Sequence, residues 1–131
     1  MIGFGKRPKE RRTKLLFVTD VHGSETTFRK FVNAGTSYGV DAGIMGGDIA
    51  GKMVVPIVDL GSGNYRANIQ SINRELAGPD AVIEFEKRAA NLGSYTAVVS
   101  IDEYDGLVAN PGAVDKLYHR LATARLARWI E

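Results

Sequence analysis

Leu15-Leu16-Phe17-Val18-Thr19-Asp20-Val21-His22-Gly23, followed some two dozen residues later by Ala42-Gly43-Ile44-Met45-Gly46-Gly47-Asp48, decides the reading of this chain. Each stretch is a short apolar run that ends on oxygen or imidazole donors, the pattern of a buried strand with polar residues at its carboxyl end. In open α/β sheets ligands bind beyond the carboxyl ends of the strands, so Asp20 and Asp48 are expected to project into one crevice. Asp20 and His22 are two apart, and in an extended stretch they would share a face. Gly23 and the Gly46-Gly47 pair remove side chains where the backbone turns sharply or lies close to a ligand.

Working outward, Ser24 is a good N-cap, and Phe28, Phe31 and Val32 supply an apolar stripe at helical spacing, with Gly35 expected to close the helix. Strand, helix and strand then form a parallel βαβ unit with a right-handed crossover. Two carboxylates and an imidazole make a plausible metal nest. A divalent cation keeps clustered carboxylates ionised that would otherwise repel one another. The mixed oxygen and nitrogen set suits manganese, iron, zinc or cobalt better than calcium and selects none of them.

Asp-x-His after a strand, then Gly-Asp after a second strand, resembles the opening of the calcineurin-like metallophosphoesterases, and the likeness runs from Leu15 to about Pro56. The resemblance implies a metallophosphoesterase-type α/β sandwich and hydrolysis of a phosphoester substrate at a site of two divalent metal ions. It makes Asp20 and His22 ligands of the first ion and Asp48 the bridge to the second. Gly23 and Lys52 lie where substrate contacts are expected. The family pattern continues with a Gly-Asn-His-Asp/Glu block, a further histidine and a Gly-His-x-His block, and none of these stands in this sequence. The chain is therefore expected to be the amino-terminal portion of the fold, with the remaining ligands in a missing carboxyl-terminal half or a partner chain. No catalytic residue is visible beyond the metal ligands, and the chain alone is expected to be inactive or nearly so. The alternative is a non-catalytic protein-binding module on the same fold.

Beyond Met53 the character changes. Met53 to Leu60 reads as a strand, placed at a sheet edge by Pro56, which has no ladder donor. Gly61-Ser62-Gly63-Asn64 is a turn and Tyr65 to Ile69 a returning strand. Pro79 opens a second helix whose Val82, Phe85, Ala89 and Leu92 share a face before Gly93 stops it. Tyr95 to Ser100 is rich in strand formers. Asp102, Glu103 and Asp105 read as a solvated acidic turn. Asn110-Pro111 opens a last helix with Val114, Leu117, Leu121, Leu126, Trp129 and Ile130 on its apolar side. Trp129 is expected in the core and His119 in solvent. The organisation is thus a basic flexible tail over residues 1–14 and a partial domain over 15–131. That domain comprises a metal-binding βαβ unit at 15–52 and a hairpin and helical insertion at 53–131.

Length and composition agree with one domain: 131 residues, 44% hydrophobic and 24% charged, ordinary values for a globular protein. No apolar run approaches the ~20 residues that cross a bilayer, and Leu15 to Val18 is too short for a signal-peptide core. No membrane association is expected, and a cytoplasmic location is the default. The absence of cysteine excludes disulfides and thiolate metal sites. The net charge of +2 hides a tail balance of +5 over residues 1–14, which leaves −3 for the rest. Lys6 to Lys14 offer a salt-sensitive nucleic-acid contact, but with no aromatic among the charges a solvated arm is favoured.

Overall fold

The computed structural model describes residues 12–131, so the basic stretch up to Arg11 lies outside the described residues. The described residues form a mixed α/β fold of six strands and four helices in the order β1 (Leu15–Thr19), α1 (Glu25–Tyr38), β2 (Ala42–Gly46), β3 (Val54–Gly61), β4 (Asn64–Ile69), β5 (Ile72–Ala77), α2 (Gly78–Asn91), β6 (Tyr95–Val99), α3 (Ile101–Ala109) and α4 (Pro111–Ile130). Among the described residues no helix is long and apolar enough to cross a membrane.

The expected βαβ unit is present: β1 and β2 form a two-stranded parallel sheet, with Leu15 opposite Ala42 and Thr19 opposite Gly46. Lys14, the last residue of the expected tail, is already tied in, since its backbone N–H donates to Asp41 Oδ2 at 2.8 Å. One sheet face is covered by α1, where the Phe31 ring lies on Gly43 and Leu16 lies against Gly35. The other face carries Leu15, Phe17 and Ile44, all exposed. Ser24 caps α1 by accepting from the Thr27 N–H at 3.1 Å. Gly35 does not close the helix, because it sits on the sheet side. The stop falls at Gly39, whose left-handed φ of 55° lets its N–H reach the Gly35 and Thr36 carbonyls.

The second sheet has the order β5-β4-β3-β6, antiparallel except for the parallel β3–β6 pair. It corrects two expectations. The hairpin gains a third strand, β5, through a two-residue turn in which Gln70 and Ser71 both have positive φ, the geometry that matches the twist of paired strands. And β3 is central rather than an edge. Pro56 is tolerated there because it lies opposite Ala97 of β6, while pairing with β4 begins only at Ile57, so its missing donor costs no bond on the β4 side.

The core sits under this sheet. Val55, Ile57 and Ala67 meet Val82 and Phe85 of α2, with Tyr65, Ile69 and Leu76 packed around them. Burial of side chains such as Ile57 and Phe85 contributes about 1.5–3 kcal/mol each. Leu92, expected on the apolar face of α2, is instead its exposed C-cap residue. The acidic segment after β6 is α3 rather than a turn: Ser100 accepts from the Glu103 N–H at 3.1 Å and Glu103 Oε2 accepts from the Ser100 N–H at 2.7 Å, a complete capping box. Asn110 caps α4 by accepting from the Gly112 N–H at 3.0 Å.

Candidate metal centre

β1 and β2 deliver Asp20 and Asp48 to the same end of the small sheet. The backbone does not stay extended past Asp20, as the shared-face expectation requires. Asp20 and His22 both adopt left-handed φ values, 56° and 51°, and Gly23 follows at 69°. Asp and His are among the side-chain-bearing residues that enter this region most readily. The turn is pinned to the other motif through its backbone. The His22 N–H donates to the Asp48 carbonyl at 3.1 Å and the Gly23 N–H to the Ile49 carbonyl at 2.7 Å.

These constraints bring the three expected ligands together. His22 Nε2 lies 3.8 Å from Asp20 Oδ1, and His22 Nδ1 lies 3.4 Å from Asp48 Oδ2. Nδ1 is buried without a hydrogen-bond partner among the described residues, a polar atom in want of a ligand. Thr19 Oγ1 donates to Asp20 Oδ2. Lys52 reaches back to Asp48 Oδ2 at 3.1 Å.

The donor chemistry fits a divalent cation. The arrangement is less complete, because the two imidazole nitrogens face different carboxylates, and no three acidic or imidazole groups among the described residues surround one ion position. The pairwise distances and that finding agree: the ring stands between Asp20 and Asp48. Bringing all three donors to one point takes side-chain rotation, which their exposures of 61%, 43% and 42% permit. Gly23 offers no free backbone group to a substrate, since its N–H is used by Ile49 and its carbonyl by Arg125. His119 is exposed on α4, edge-on to Tyr118.

The second sheet and the last helix hold this turn in place. Gly23, Gly51 and Gly93 stack backbone on backbone where three loops cross. A Cβ on Gly23 would lie 2.5 Å from Gly51 N, one on Gly51 would overlap the Gly93 carbonyl oxygen, and one on Gly93 would overlap the His22 carbonyl oxygen. The Gly51 N–H donates to Tyr95 Oη at 2.8 Å. Arg125 of α4 is 8% exposed and donates from Nη1 to the Gly23 carbonyl and from Nη2 to the Ser94 carbonyl, both at 2.9 Å. Its guanidinium lies 4.4 Å from the centroid of the Tyr95 ring and 3.7 Å from Glu25. Burial pushes that guanidinium below its ordinary value, while Glu25 and Tyr95 push it back up. Trp129, expected in the core, stacks on Phe28 at 4.4 Å and donates from Nε1 to Glu25 Oε2 at 3.0 Å. Ser24 Oγ donates to the Asn91 carbonyl at 2.8 Å, joining α1 to the end of α2.

Sequence reasoning missed Gly51, Gly93 and Arg125 as parts of the site's frame. Gly93 was expected only as a helix stop. Arg125 had a visible signal: it falls between Leu121 and Trp129 at helical spacing, a charge on an apolar stripe. No protein-family model, curated protein or solved structure matches this chain.

Proposed function

We propose that the chain carries the first half of a two-metal site for hydrolysis of phosphoric esters, on the amino-terminal part of a metallophosphoesterase-type fold. The observation that supports the reading is the meeting of Asp20, His22 and Asp48 beyond the carboxyl ends of two parallel strands. Asp20 and His22 would hold the first ion, and Asp48 would share in holding the second. Metal of the manganese, iron, zinc or cobalt type would supply Lewis acidity, polarising the phosphoryl oxygens and making hydroxide available near neutral pH. The left-handed turn at residues 20–23, bonded to the Asp48 and Ile49 carbonyls and clamped by Arg125, fixes the spacing of the two motifs. Lys52, an exposed side chain whose ammonium lies 3.1 Å from Asp48 Oδ2, would meet a phosphate oxygen on leaving that carboxylate. With half of the family's ligand set, the chain alone turns over slowly or not at all.

A second reading, a protein-binding module that does not use metal, is favoured by the exposed apolar face of Leu15, Phe17 and Ile44. Equilibrium dialysis against manganese separates the two. The catalytic reading predicts bound manganese, with affinity falling roughly 100-fold or more in His22→Ala and in Asp48→Asn, given that even outer-shell partners are worth roughly 10–100-fold. No detectable ion, or binding indifferent to both substitutions, favours the module.

A further inference from the structure

Lys52 is four residues beyond Asp48, and its ammonium lies 3.1 Å from Asp48 Oδ2, the same oxygen that lies 3.4 Å from His22 Nδ1. An ammonium there does electrostatically what a metal ion would do: it neutralises the Asp48 carboxylate. Both partners are reachable from solvent, with side chains 69% and 42% exposed, so the pair is cheap to break. Two cations cannot share this oxygen at contact distance without repulsion. The backbone at Asp48 is tied at its carbonyl to the His22 N–H, so the carboxylate springs from a fixed point, and an ion gathered there by Asp48 and His22 meets the Lys52 ammonium on the same oxygen.

We propose that Lys52 is an internal rival of the metal ion at Asp48, so that loading of the site requires the ammonium to swing off the carboxylate. The inference rests on the proposed metal site and specifies how that site is held when no ion is bound. Lys52 thereby sets the affinity threshold for the ion rather than contributing to its binding. Because the stem is exposed, the displaced ammonium has room to move without disturbing the fold.

The test is calorimetric titration of manganese alone into the full chain and its Lys52→Met and Lys52→Arg variants at one fixed ionic strength. Loss of a solvent-screened ion pair, together with loss of a like charge next to the ion, predicts about three- to tenfold tighter binding in Lys52→Met. Lys52→Arg, which keeps the charge, is expected to stay within about twofold of the parent. Thermal melts of all three chains should coincide, since the side chain is exposed. Equal or weaker manganese binding by Lys52→Met overturns the rivalry while leaving the metal site standing. No manganese binding by any of the three overturns both.

Discussion

The β1–α1–β2 unit and the sheet of β3 to β6 divide the proposed chemistry from stability. The first carries Asp20, His22 and Asp48, yet α1 has no fully buried residue, and neither do the two strands beside it. The second contains the hydrophobic core, with Val55, Ile57 and Ala67 at 2% exposure or less. The half with the proposed metal motifs therefore has little core of its own. It is held through Val21, buried at the turn, through the crossing of Gly23, Gly51 and Gly93, and through Arg125. A site whose ligands are exposed can still be well positioned if the backbone behind it is clamped.

That contrast can be attacked at both ends. Phe85→Ala removes the largest buried side chain of the cluster formed with Val55, Ile57, Ala67 and Val82 and should cost about 3–4 kcal/mol by urea unfolding, melting both regions together. A cost under about 1 kcal/mol would place the core elsewhere.

Arg125→Met tests the clamp. It removes two bonds to buried carbonyls and strips Glu25 of a partner, for a loss of about 2–4 kcal/mol. Hydrogen exchange should speed up at the His22 and Gly23 amides more than in β3 and β4. Equal acceleration everywhere would mean that Arg125 supports the whole fold rather than the turn.

Tyr95 links the two regions through the Gly51 N–H, and Tyr95→Phe leaves that donor unpaired at a cost of about 1–3 kcal/mol. Burial raises the Tyr95 phenol above its ordinary 10.0, against the opposing pull of the Gly51 N–H and Arg125. A raised value means that the folded state holds the proton more tightly than the unfolded chain does. The associated stability is complete below about pH 10 and is lost as pH rises through the folded value. Unfolding measured from about pH 9 to 11 should therefore fall more steeply for the parent than for Tyr95→Phe. A parallel fall contradicts the assignment.

Phe17→Ser sits at the opposite extreme. Phe17 is 61% exposed, with its ring over Gly46, so stability should change by no more than about 0.5 kcal/mol. A large loss would show that the open face of β1 and β2 is packed after all.

Much of this architecture was legible before any coordinates. The apolar runs at Leu15 and Ala42, the Ser24 cap and the Pro79 and Asn110-Pro111 helix starts are local signals, and each element stands where they point. β5 was not legible because its turn, Gln70-Ser71, lacks the glycine or asparagine that usually marks two positive φ values. Nor was α3, where the acidic residues and Gly106 masked a capping box. Pro56 misled because edge and interior depend on partners far away in the chain. The three proposed ligands could be named from their motifs. Their left-handed turn, the glycine crossing and Arg125 could not, because these exist only through contacts between segments 30 to 100 residues apart, such as Arg125 with Ser94 and Gly23.

In the proposed arrangement one divalent ion site is built by the turn after β1 and the loop after β2. Paramagnetic broadening of backbone amide signals by substoichiometric manganese tests it directly. Broadening is expected to be strongest at residues 19–24 and 46–52 and absent from β4 and β5. Broadening centred instead on the acidic first turn of α3, at Asp102 and Glu103, or spread evenly over the surface, would contradict it.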